Sequence, residues 1–164
     1  MFGRTKSTGG FNRPDVSPCT ETPIIFRDEV EPKQSFETYC QDFPATQAAI
    51  LSIFDEIMHS SDVFTANPDV TKIYDMFALA TLPDYRGRGL ATKMVQQALK
   101  VAQKAKCNGV TVLASSDYSR RIFDKLGMEV IGTKDWTDLK NPADGTNIFK
   151  NIQSEKATAH FKKL

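Results

Sequence analysis

The sequence predicts one layered α/β domain, and three observations carry that prediction. A chain of 164 residues supports one hydrophobic core and not comfortably two. Two apolar runs, Lys72 to Thr81 and Val110 to Ala114, have the length and side chains of buried strands. Apolar residues recur at helical spacing between and after them. The order strand, helix, strand, helix, strand therefore runs from Lys72 to Gly132.

The elements follow in order. Residues 1–35 are turn-rich, and "STGGFNRPDVSP" carries three loop signals, so an irregular segment is expected there. Its one strand-like run is "TPIIFR", Thr22 to Arg27. The domain proper is expected over 36–164. From Thr46 to His59 the residues Ile50, Leu51, Ile53, Phe54, Ile57 and Met58 mark an amphipathic helix, with Pro44 just before it. "KIYDMFALAT" is a strand buried on both faces, ended by Pro83 and Asp84. Past the glycine turn, Leu90, Met94, Val95, Ala98, Val101, Ala102 and Ala105 form one helical face, closed by "CNG" at Cys107. "VTVLA" is the next strand. "SSDYSRRIFDKLG" is a helix with Tyr118, Ile122, Phe123 and Leu126 on one side and Gly127 as its C-terminal cap. A strand at Met128 to Gly132 follows, and a last one is expected at Thr146 to Asn151 after the turn "NPADG".

Composition excludes several classes. Hydrophobic content of 40% and charge of 25% are those of an ordinary globular protein. A net charge of +1 offers no general attraction to nucleic acid or to an anionic membrane. The longest basic cluster, Lys162-Lys163, reads as a solvated tail end. No window reaches the ~18 apolar residues a membrane span requires, and the first ten residues lack a signal core. Cys19, Cys40 and Cys107 are odd in number and fit no metal spacing, so free thiols in the cytoplasm are expected, with no metal bound. His59 and His160 have no partner at ligand spacing and read as surface or helix residues.

The most informative stretch is "LPDYRGRGLATKMVQQAL", Leu82 to Leu99. A glycine-rich turn that opens a helix aims free N–H groups and the helix dipole at one point. Arg86 and Arg88 add charge there. This suits a pyrophosphate; the plain alternative is a loop with solvated arginines. No Gly-Lys-Ser/Thr closes the turn, and Thr92 stands where a dinucleotide fingerprint needs its third glycine. The run Arg86-Gly87-Arg88-Gly89-Leu90-Ala91 has the form R-x-x-G-x-A. It resembles the acetyl-CoA pyrophosphate loop of the GNAT superfamily of N-acetyltransferases, Q/R-x-x-G-x-G/A. "YSRRIFDKLGMEVIG" is similar to the family's second signature, Phe123-Asp124-Lys125-Leu126-Gly127 with Met128 in place of the usual aromatic. Within the family the chain looks most like the arylalkylamine N-acetyltransferase-like branch of invertebrates. The loop "PDYRGRG", the pair Ser115 and Ser119, and the tail "KDWTDLKNPADGTNIFKN" carry that likeness, which is tight from Ile73 to Gly132.

The resemblance implies a GNAT-type mixed central sheet flanked by helices, with acetyl-CoA as co-substrate and a small-molecule amine as acceptor. It assigns cofactor binding to Phe77, Ala78, Leu79, Arg86, Gly87, Arg88, Gly89, Leu90, Ala91 and Thr92. The backbone N–H groups around Phe77 to Leu79 would polarise the thioester carbonyl. It gives Ser115 and Ser119 to proton handling. The plain reading makes Ser115 and Ser116 a strand-end turn and helix cap, and Ser119 a first-turn residue. Relatives outside this branch use a helix tyrosine as acid, where this chain has Phe123. Tyr118 is a substitute in principle, but a core-packing role suits it better.

The chemistry demands a proton acceptor. An alkylammonium with a pKa near ~10 is free amine in roughly one molecule in a thousand at pH 7, a handicap of ~4 kcal/mol. In the arylalkylamine branch a glutamate of the first helix fills that role. The first strand and first helix of the family are expected to be lacking here, and no residue matches that glutamate. Asp55 and Glu56 read as solvated helix residues. Three alternatives follow: an amine N-acetyltransferase with an altered base, a non-catalytic CoA-binding remnant or shortened isoform with a regulatory role, or a sequence whose start lies upstream. A sheet lacking its first strands would expose an edge, which a dimer or another partner would cover.

Overall fold

The computed structural model describes residues 24–29, 45–77, 79–140, 145–149 and 152–164. Most of the segment 1–35, the 35/36 boundary, Cys19, Cys40, Pro44 and Ala78 lie outside the described residues. Five strands are present: β1 (Ile24–Phe26), β2 (Lys72–Met76), β3 (Gly109–Ala114), β4 (Glu129–Asp135) and β5 (Lys156–Lys163). Four α-helices are described: α1 (Ala45–Ser60), α2 (Val63–Ala66), α3 (Leu90–Lys104) and α4 (Asp117–Lys125). The sheet order is β1-β2-β3-β5-β4. Only β2 and β3 run parallel; the other pairs are antiparallel.

The helices divide between the two faces. Val110, Val112 and Ala114 alternate along β3 and pack against Val95 and Ala102 of α3 and Phe123 of α4. The intervening Leu113 packs on the other face with Ile53 and Ile57 of α1, beside Ala157 and Ala159 of β5. Val63, Val70, Ile73 and Phe161 continue that second core under α2. Gly132 lets α1 approach β4 closely, since a Cβ there would lie 2.8 Å from Ile57 Cγ2.

Local sequence explains the boundaries. Asp62 caps α2 by accepting from the amides of Phe64 and Thr65. Ser116 caps α4, and Gly127 ends it at φ +68°. The helix expected over Thr46 to His59 and the run at Val110 to Ala114 are present within one or two residues.

Several expectations are corrected. The strand expected to reach Thr81 ends at Met76. Residues 146–149 form no strand, only an isolated bridge between Asn147 and Lys140; Lys150 and Asn151 lie outside the described residues. The strand that completes the sheet is β5, over the presumed tail: Lys162 Nζ donates to the Leu126 carbonyl at 2.7 Å, and Lys163 pairs with Asp69. His160 is a fully buried strand residue, not a surface or helix one. Tyr118 projects from α4 with 74% of its surface exposed, so it does not pack in the core. Met94 and Val101 sit at the rim of the α3 face, 42% and 49% exposed, while Val95 and Ala102 fill its centre.

Candidate functional site

The site starts where β2 and β3 part. Their last paired residues are Met76 and Val112. β3 then runs on to Ala114, paired only with β5, while the other chain leaves the sheet at Phe77. A cavity of about 320 Å³ opens at the parting, walled by Met76, Leu79, Val95, Val112 and Phe123 among others. Phe77 turns outward and is 84% exposed, whereas Leu79 packs toward the α3 core. A second groove, of about 580 Å³, is lined by Ala80, Thr81 and Leu82 and by Leu90, Met94 and Gln97 of α3.

The segment returns to α3 through the glycine turn. Pro83 to Tyr85 form one 3-10 turn. Gly87 and Gly89 then adopt left-handed φ of +73° and +70°, where a side chain is disfavoured. The first intrahelical bond of α3 runs from Lys93 N to Gly89 O at 3.1 Å. The amides of Leu90, Ala91 and Thr92 therefore precede the helical ladder. No side chain caps them. A Cβ built on Gly87 or Gly89 meets no atom within 4 Å, so the space above the turn is open. Arg86 Nε donates to the Thr81 carbonyl at 3.2 Å, and Arg88 donates to the Asp84 carbonyl at 3.0 Å while stacking over Tyr85. Both side chains are exposed at the rim. The described residues of the expected cofactor set are thus brought to one end of β2 and α3, and the turn's open amides fit an anionic group.

Ser116 and Ser119 close the head of α4 as a helix cap and a first-turn residue, the plain reading of this stretch. Ser115 is exposed at the end of β3. The hydroxyl contact is between Ser119 and Ser116, 3.0 Å apart, and Ser119 Oγ also donates to the Ser116 carbonyl at 2.8 Å. Ser116 Oγ accepts from the Ser119 amide at 3.3 Å.

Sequence reasoning missed Asp75. It lies in β2 directly across from Thr111, whose Oγ1 donates to Asp75 Oδ1 at 2.8 Å. Burial pushes the Asp75 carboxyl above its ordinary range, and the Thr111 hydrogen bond pulls it partly back. The signal in the sequence was one carboxylate inside a mostly apolar run, Ile73 to Ala80. Of the carboxylates noted on α1, Glu56 pairs with Lys134 at 2.8 Å at the surface. Among the described residues no cluster of His, Cys, Asp and Glu could hold a metal, and no helix is long and apolar enough to cross a membrane.

Comparison with known proteins agrees with this geometry. The acetyltransferase (GNAT) family model matches residues 49–128. Arylalkylamine N-acetyltransferase 2 of Aedes aegypti superposes with a TM-score of 0.74 at 20% identity, over 85% of this chain and 64% of that one. A mosquito arylalkylamine N-acetyltransferase-like 5b gives 0.66 at 21% identity, over 79% and 61%. The polyamine N-acetyltransferase of Drosophila melanogaster, which forms N-acetylagmatine, gives 0.64 at 21% identity, over 79% and 60%. The chain thus spans less than two thirds of the length of these structures. The family-model match thus marks a GNAT acetyltransferase domain over residues 49–128, and the parted parallel strands and the glycine turn at the head of α3 sit on the fold shared with these structures.

Proposed function

We propose that the protein transfers the acetyl group of acetyl-CoA to a primary amine of the arylalkylamine or polyamine class. The observation that carries this reading is the open amide turn at Gly87 to Thr92, at the head of the helix α3 whose Met94, Val95 and Ala98 wall the cavity between β2 and β3. The solved structures it resembles include acetyltransferases of arylalkylamines and of a polyamine substrate.

The residues divide the work. The amides of Leu90, Ala91 and Thr92 and the dipole of α3 hold a pyrophosphate, with Arg86 and Arg88 adding charge at the rim. When bound, acetyl-CoA supplies an acetyl group activated as a thioester. Phe77 and Leu79 line the cavity and offer backbone N–H groups suited to polarising a carbonyl. The apolar walls at Val95, Val112 and Phe123 exclude water from the reacting end. Ser119, or Ser115 at the strand end, handles a proton near the leaving thiol. Phe123 cannot do so, having no hydroxyl. Three cysteines, odd in number and without metal spacing, suit a reducing compartment such as the cytoplasm.

Calorimetric titration with acetyl-CoA tests the site, followed by amine-dependent release of CoA. Micromolar binding and release with dopamine, tryptamine or agmatine are expected. Binding without release from any amine would favour the second reading, a CoA-binding protein without catalysis.

A further inference from the structure

Beneath α4, the sheet holds a polar pair that acetyl transfer does not use. His160 is fully buried in β5, between Val112 of β3 and Val130 of β4. Its ring is held at one nitrogen: Nε2 lies 2.9 Å from Thr158 Oγ1, a side chain that is itself buried. The other nitrogen, Nδ1, makes no hydrogen bond, although Asp124 Oδ1 of α4 stands 3.8 Å away. That gap is about 1 Å longer than a charge-assisted hydrogen bond. A buried ring nitrogen without a partner is unfavourable, and a carboxylate just out of reach is drawn to it most strongly when the ring is charged. The pair also adjoins the cavity. Phe123, one residue before Asp124, meets the His160 ring edge-on with centroids 5.3 Å apart, and it walls the cavity between β2 and β3. β5 is paired on both sides, so the strand is fixed. Closing the gap therefore falls on the ring and on α4, and close packing passes it to Phe123.

We propose that His160 and Asp124 form a proton-operated latch under α4, which sets the position of Phe123 and so the shape of the cavity between β2 and β3. With the ring neutral the latch is open, and the cavity stands as described. A proton on the ring closes Nδ1 onto Asp124 and displaces the Phe123 wall. The open cavity belongs to the unlatched state, so a ligand that fills it disfavours the proton, and the proton disfavours the ligand equally. That the ligand is acetyl-CoA rests on the reading above; the latch itself does not. Few charges face the ring. α4 brings Asp124, which favours the charged form, and Arg120, which opposes it and is paired with Asp117 at 3.0 Å. Past the end of α4, the Met128 backbone also favours the charged form. β3 and β4 bring Val112 and Val130, and Glu129 of β4 stands opposite Phe161 instead. On β5, Lys162 is held away at the end of α4, donating to the Leu126 carbonyl at 2.7 Å and to that of Gly127 at 3.2 Å.

The test follows ring resonances of the full chain from pH 7.5 downward, with ¹³C-labelled histidine and phenylalanine. The chain has two histidines, so His59→Gln assigns the His160 signals by elimination, and Phe123→Leu assigns those of Phe123. The Phe123 signals are expected to shift with the midpoint of His160. Asp124 is half-exposed, and Asp124→Asn keeps its size without its charge, so that variant is expected to fold and to lose the shift. Calorimetry reads the cavity. From pH 7.5 to 5.5, acetyl-CoA affinity should fall more in wild type than in Asp124→Asn, by about fivefold or more. Titration of the ligand's own phosphates is common to both proteins and cancels in the comparison. Phe123 signals that stay still while His160 titrates would overturn the latch. So would a His160 that remains neutral until the chain unfolds, or a Phe123 shift that persists in Asp124→Asn. Equal affinity losses in the two proteins would overturn the coupling to the cavity. Absence of acetyl-CoA binding at every pH would overturn the acetyl-CoA reading, and the ring resonances alone would then decide the latch.

Discussion

Ser119 Oγ donates to the carbonyl of Ser116 at 2.8 Å while lying 3.0 Å from the Ser116 hydroxyl. The two side chains thus close the first turn of α4 on each other. Ser116 serves the helix, accepting from the Ser119 amide. Ser116→Ala should therefore cost about 1 kcal/mol of stability, typical of a lost N-cap, read as a lower urea midpoint. Ser119→Ala keeps the cap. If Ser119 handles a proton, its loss lowers kcat with acetyl-CoA affinity little changed. Equal turnover in wild type and Ser119→Ala would leave the hydroxyl as helix structure alone.

The glycine turn makes a sharper prediction. In the free protein a Cβ at Gly89 meets nothing within 4 Å, so the β-carbon of Gly89→Val has room there. Its intrinsic cost is the left-handed backbone at φ +70°, about 1–2 kcal/mol. The larger loss is expected in the complex, where the side chain occupies the space that brings a pyrophosphate to the backbone. Acetyl-CoA affinity should fall well beyond what the change in stability explains. Calorimetry with both proteins at a temperature where each is folded measures this, and equal affinity would remove the pyrophosphate assignment.

The glycine turn, α3, β3 and α4 were legible because glycines and apolar periodicity mark them locally. β5 was not. "KATAHFKK" carries one large apolar residue, Phe161, and its other apolar core positions are Ala157 and Ala159. Small residues suit a strand packed closely under α1, yet in a sequence they carry no strand signal. Asp75 was hidden for a different reason. Its meaning depends on Thr111, which is 36 residues away and becomes its neighbour only through the β2–β3 register. Exposure of Phe77 was equally hidden, because the apolar run continues past the point where pairing stops.

Buried His160 ties stability to pH. Burial holds its pKa below the ordinary value, against the opposing pull of Asp124, whose Oδ1 lies 3.8 Å from Nδ1. Nε2 is 2.9 Å from Thr158 Oγ1, while Nδ1 has no hydrogen-bond partner. The unfolded chain binds a proton near pH ~6.5 and the folded chain does so only at lower pH. In that window the unfolded state holds more protons, so stability falls as pH drops below about 6.5. Urea unfolding at pH 7.5 and 5.5 checks this. His160→Gln should lose less stability across the interval than wild type.

Asp75 has the opposite sign. Its folded pKa is raised, so between the unfolded and folded values the folded chain binds more protons, and stability falls as pH rises through that window. Above the folded pKa the unfavourable contribution is fully present. Asp75→Asn, which keeps an acceptor oxygen for Thr111, should therefore raise the thermal midpoint at pH 7. A lower midpoint would mean the carboxylate has a stabilising partner.

Gly132 tests how α1 is seated on the sheet. β4 shifts register between Val130 and Gly132, and the Ser61 hydroxyl donates to the neighbouring Ile131 carbonyl at 2.8 Å. An alanine Cβ at Gly132 would stand 2.8 Å from Ile57 Cγ2 and 3.3 Å from the Ile57 carbonyl oxygen. The side chain can turn, but the backbone oxygen moves only with the helix. Gly132→Ala should thus destabilise the protein by about 1–3 kcal/mol, as overpacked cores do. The glycine turn lies on the far side of β2 and β3 from this contact, so acetyl-CoA affinity should persist wherever the variant remains folded. Loss of binding in a folded Gly132→Ala chain would show that the position of α1 shapes the site after all.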